Sequence, residues 1–193
     1  MKKQLLILMF VYFFISYSGY SQTHQHVPSD STCAEELSGE ETYSFASVKD
    51  NGQLCVKTSN NREIIFEKDS TQVGFDKIRI SDDGKAVGCL ELYNNNSTSY
   101  PIPLKLKLYS GGHIHRFTGN GLPIWLWNFT DGGKQISFKQ ETIHGGFGVH
   151  YELREVLTGQ LIDEYNPEYG PDNQQLEIQK NVPKWVEELN DSN

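Results

Sequence analysis

The residues best suited to chemistry are four histidines. His113 and His115 stand two apart in an apolar segment, so on a strand both rings leave the same face. His144 and His150 flank a glycine-rich stretch, residues 141–149. Neutral imidazoles suit zinc or copper. If the segments that carry them pack as neighbours, His113, His115, His144 and His150 converge on a metal, and zinc is the cofactor they would take. If not, they are two hairpin and two loop histidines that only hydrogen-bond. No HExxH spacing fixes a ligand geometry.

Other chemistries lack a signature. There is no GxSxG elbow and no glycine-rich phosphate loop between a strand and a helix. Glu141 and Glu152 form a carboxylate pair that nothing positions. Trp125 and Trp127, at strand spacing, fit a carbohydrate platform less well than they fit a core. Cys33, Cys55 and Cys89 match no zinc or redox motif, and at most one internal disulfide can form from three pairings.

Residues 1–21 read as a signal peptide: two lysines, an apolar run Leu5–Ile15, then a small-x-small end at Gly19–Ser21. The run is shorter than the roughly 20 residues of a membrane span. The chain is therefore expected to be exported, to the periplasm or cell exterior, with no membrane span after cleavage. Its formal charge is −8. Without Lys2 and Lys3, fifteen basic residues face twenty-five acidic ones, a balance of −10. Phosphate backbones repel such a surface, so no nucleic-acid partner is expected.

Residues 22–41 are polar and aperiodic, a flexible lead-in that includes His24 and His26. Residues 42–167 read as short strands separated by turns. Leu104, Leu106 and Leu108 alternate with Lys105 and Lys107, the pattern of a half-buried antiparallel strand. Ile124 to Phe129 is apolar on both faces and reads as central. Residues 168–193 are a polar tail with a short terminal helix in which Trp185 and Leu189 dock on the core.

A turn motif is written three times. Ile80-Ser81-Asp82-Asp83-Gly84-Lys85 matches Phe129-Thr130-Asp131-Gly132-Gly133-Lys134, with a weaker copy at Val48-Lys49-Asp50-Asn51-Gly52-Gln53. The second and third units align along their length. Each holds two hairpins with an insertion between its second and third strands, residues 94–103 and 141–149. These motifs, with Leu157-Thr158-Gly159-Gln160-Leu161, resemble the blade signatures of WD40-like, TolB-type β-propellers of exported bacterial proteins. The block from Tyr100 through Trp125 to Arg154 is also similar to an uncharacterised group of exported bacterial proteins. The resemblance implies an all-β fold of about three four-stranded antiparallel meanders. Closed propellers use about four to eight blades, so an open or incomplete propeller is expected.

The function that follows is a non-enzymatic binding or interaction module. Insertions at equivalent positions of a repeat fall on one face, often the binding face. That face would hold Tyr100, Pro101, Pro103, His144, Gly145, Gly146 and His150. A protein partner or self-association is expected. The alternatives are a metal-binding or hydrolytic enzyme built on the histidines, and a structural subunit whose open edges a partner completes.

Overall fold

The computed structural model describes residues 39–145, 148–167 and 181–192. The leader, most of the lead-in with Cys33, Gly146 and most of the polar tail lie outside the described residues.

The fold is all-β with one short helix. Strands β1 (Tyr43–Val48), β2 (Leu54–Thr58) and β3 (Glu63–Phe66) form a three-stranded sheet. Strands β4 (Gln72–Ile80), β5 (Ala86–Tyr93), β6 (Ile102–Ser110) and β7 (His113–Phe117) form a second sheet. Strands β8 (Ile124–Thr130), β9 (Gln135–Gln140), β10 (His150–Glu155) and β11 (Leu161–Tyr165) form a third. All three are antiparallel meanders, and none closes into a barrel. The first sheet has three strands rather than four. Helix α1 spans Lys184–Asp191.

The sheets stack, with the second in the middle. Successive residues of β5 point to opposite faces. Val87 and Cys89 enter the layer shared with the first sheet, alongside Leu54, Val56 and Phe66. Ala86 and Leu90 enter the layer shared with the third sheet, alongside Trp127, Ile136 and Phe138. Gly88 lies against Trp127. A Cβ there would stand 2.5 Å from the indole Cη2, so only glycine admits the ring at this distance. Helix α1 covers the outer face of the third sheet, burying Val186 and Leu189 against Val149 and Tyr151. Trp185 donates from Nε1 to Asp163 Oδ2 at 2.9 Å.

Stacking corrects three expectations. Strand β6 is not half-buried: Leu106 and Leu108 face the third sheet, while Lys107 and Tyr109 are sealed on the opposite face. Strand β8 is an edge strand rather than a central one. Its two apolar faces reflect coverage by the second sheet and by α1, because stacking buries a strand whatever its lateral place. The weak turn copy at residues 48–53 is not equivalent to the other two. It lies beside Lys68, which leads into β4, whereas the turns at 81–85 and 131–134 touch each other at the opposite end of the stack.

The Gly84 turn shows how such a hairpin is built. Gly84 takes φ +68° and its N–H donates to Ser81 O at 2.8 Å. Asp83 Oδ1 accepts from Ser81 Oγ at 2.6 Å and from Lys85 N at 2.9 Å. Asp and Gly at these positions make the turn without steric cost.

Candidate functional site

A meander alternates its connections between two ends, and here the ends differ. One end carries tight turns at 59–62, 81–85, 111–112, 131–134 and 156–160. These interlock: a Cβ on Gly133 would meet Asp83 and Ser81, and one on Gly111 would meet Leu157. The other end carries the tight turn at 49–53 and the connections at 67–71, 94–101, 118–123 and 141–149. Both insertions singled out from the sequence emerge at this loop end.

The first insertion is shaped by its own side chains. Asn95 Oδ1 accepts from Ser97 N at 2.7 Å and from Thr98 N at 2.9 Å. The Tyr100 carbonyl accepts from Thr98 Oγ1 at 2.5 Å. The loop is thus held through backbone atoms, and Tyr100 is 51 % exposed. Pro101 is exposed beside it. Pro103 is not on this surface: it is buried in β6, opposite Leu92, at an irregularity in the ladder. A bulge is where a strand tolerates the missing N–H.

In the second insertion His144 is exposed, and Gly145 takes φ +72° with open space where a Cβ would stand. The neighbouring 118–123 loop is anchored on Gln140, whose Nε2 donates to Thr118 O at 3.0 Å and to Leu122 O at 2.9 Å. Gln140 Oε1 accepts from Asn120 N at 3.1 Å. Loops so fixed to a rigid scaffold present side chains with little entropy left to lose.

The four histidines do not form one ligand set. Among the described residues, no group of three or more His, Cys, Asp or Glu has an arrangement that holds a metal ion. His113 is exposed. His115 Nε2 lies 3.0 Å from Leu157 O, and burial lowers the pKa of its ring. His150 is only 4 % exposed and belongs to a polar cluster rather than to a binding surface. Its Nδ1 is 2.7 Å from Asn166 Oδ1, and its Nε2 is 3.1 Å from Glu152 Oε1. Glu152 Oε2 accepts from Arg154 Nε at 2.5 Å, and the Arg154 guanidinium stands 5.1 Å from the Phe117 ring centroid.

Both partners of His150 are acceptors, so the ring is suited to carry two protons. The bond to Glu152 raises its pKa, and burial opposes this only in part. Burial works against the Glu152 carboxylate, but the bond from His150 and the charge of Arg154 hold it below its ordinary value. A raised histidine stabilises the fold fully below the unfolded value of 6.5. That contribution is lost as pH rises through the folded pKa. Urea midpoints of wild type should therefore fall from pH 6 to pH 8.5 relative to those of His150→Gln, whose profile should be flatter over that window.

The sequence reading missed a second polar cluster, between the first and second sheets. Lys107 and Glu91 are 1 % and 0 % exposed and meet at 2.5 Å. Tyr93 Oη lies 2.7 Å from Asp69 Oδ2 and 3.1 Å from Glu91 Oε2. Burial and the adjoining carboxylates push the Tyr93 hydroxyl well above its ordinary range. Lys105 and Arg116 flank the cluster.

No protein-family model matches the chain, and comparison with curated proteins finds no match. No helix among the described residues is long and apolar enough to cross a membrane.

Proposed function

We propose that this is an exported, non-enzymatic binding module that takes a protein partner on the loop end of its sheet stack, around Tyr100, Pro101, His144 and Gly145. The observation that carries the reading is the asymmetry of the two ends. The turn end is closed by contacts between its own hairpins, whereas the loop end offers longer, internally braced connections with an exposed aromatic. Tyrosine supplies contact area at low entropic cost and is enriched at interfaces. The charged groups of the two polar clusters are paired with one another inside the fold, which favours binding over catalysis. We read the three sheets as blades of an open, propeller-like stack, with the cell exterior or periplasm as the site of action.

The test is co-purification of the exported protein under mild cross-linking, comparing Tyr100→Ala with Lys134→Ala at the opposite end. A stoichiometric species lost from Tyr100→Ala but kept by Lys134→Ala is the expected result. A species kept by both variants would place the contact elsewhere. The Tyr100→Ala protein should keep the wild-type Tm, because its loop is braced through the carbonyl rather than the ring.

A further inference from the structure

The two lateral sides of the stack are finished differently. On one side the edge strands are β4 and β8, and they are tied together. The β4 ladder is interrupted between Asp76 and Arg79, where Lys77 takes φ +45°. Lys77 Nζ donates to Trp125 O at 2.8 Å, and Arg79 Nη1 donates to Asn128 Oδ1 at 3.2 Å. A bulge and an inward-pointing lysine blunt an edge against further pairing.

On the other side the edge strands are β7 and β11. Strand β10 is buried over residues 150–153, and the Arg154 guanidinium lies over the Phe117 ring of β7. Residues 161–164 of β11 are all exposed, so β11 stands beyond β7 as an overhang. Leu157, Leu161 and Ile162 are exposed there. Among the described strands, β7 pairs only with β6 and β11 only with β10. The two-residue turn at Gly111 and Gly112 makes Ser110 and His113 a hydrogen-bonded pair. By alternation, Ile114 and Arg116 then turn their N–H and C=O groups outward. An open edge beside exposed apolar side chains is a template for another strand.

We propose that two copies of this chain join at these edges, β7 of each pairing with β11 of the other about a two-fold axis parallel to the strands. Charge selects this pairing. Strand β7 carries His113, His115 and Arg116 and no acid, whereas β11 carries Asp163 and Glu164 and no base. The Glu164 side chain makes no hydrogen bond or ion pair among the described residues, so it is free to meet the other copy. Pairing β11 with itself would set acid against acid, which destabilises a ladder. Shape selects it too. Both β7 and β11 run from the turn end to the loop end. A two-fold axis along the strands exchanges the second and third layers, so the overhang of each copy fits the recessed edge of the other. The interface closes on itself, as a two-fold contact must. Both loop ends then face the same way, and the dimer presents the Tyr100 surface twice in one direction.

The test is sedimentation velocity of the full chain, as purified from its cells, over a concentration series. A monomer–dimer equilibrium is expected. Ile162→Lys and Glu164→Arg should each shift it to monomer without lowering Tm, because both side chains are exposed. Adding His113→Glu to Glu164→Arg should restore the dimer. A monomer at every concentration, a dimer that both single variants leave intact, or an open series of oligomers would overturn the proposal. So would a dimer lost in Tyr100→Ala, which would put the contact at the loop end instead.

Discussion

Glu91→Gln destabilises the protein by about 3–5 kcal/mol, the cost of leaving one partner of a buried ion pair alone. Lys107 is 1 % exposed and meets Glu91 at 2.5 Å in the layer between the first two sheets. Its Nζ stands 5.5 Å from the Phe75 ring centroid and 5.8 Å from that of Tyr109, which soften the site without replacing a carboxylate. Arg116 Nε is 3.8 Å from Glu91, on the partly exposed rim, and cannot follow the loss inward. The double variant Glu91→Gln/Lys107→Met removes both charges and should recover most of the stability, since apolar replacement of a buried pair is often close to neutral. Urea denaturation of the four proteins of this cycle measures the coupling. A single-variant cost below about 1 kcal/mol would mean that the pair is solvated and the two sheets are not in contact there.

Trp127→Ala should cost a similar amount, about 3–5 kcal/mol, through the cavity it leaves. Trp127 is 1 % exposed and is the largest fully buried side chain among the described residues. It joins the second and third sheets by lying on Gly88, and Phe129 meets it edge-on at 5.3 Å. Arg79 covers it from the rim at 5.8 Å from the ring centroid. The same contact read from the other side predicts that Gly88→Ala destabilises, because its Cβ would overlap the indole. Gly88→Ala should be better tolerated in a Trp127→Leu background than in wild type, which thermal unfolding reads as a positive coupling. Additive losses would show that Gly88 and Trp127 do not touch.

Much of the strand plan was legible in the sequence. Asp-Gly turns at 82–84 and 131–133 bounded the hairpins, and the alternation in β6 set its two faces. What could not be read was the stacking. Lys105 and Lys107 look alike as a solvated stripe, yet Lys105 flanks the cluster while Lys107 is sealed beneath the first sheet. The partner that permits this, Glu91, sits sixteen positions earlier on the neighbouring strand, where spacing alone carries no signal. The histidines misled for a related reason. Imidazoles look like ligands when their partners are unknown, but Asn166 and Glu152 already occupy both nitrogens of His150. Alternation did give a usable sign there, because His150, Glu152 and Arg154 share one face of β10. The exposure of Tyr100 was legible because it sits in an insertion without regular pattern, the kind of segment that a rigid scaffold places at its surface.

The central claim, a binding surface at the loop end, is tested most directly by site-specific photo-cross-linking in the living cell envelope. A photoreactive phenylalanine analogue replaces Tyr100 in one protein and Asp131, at the turn end, in another. The account predicts one discrete adduct from position 100 and none from position 131. Adducts of equal yield from both positions, or from position 131 alone, would contradict it.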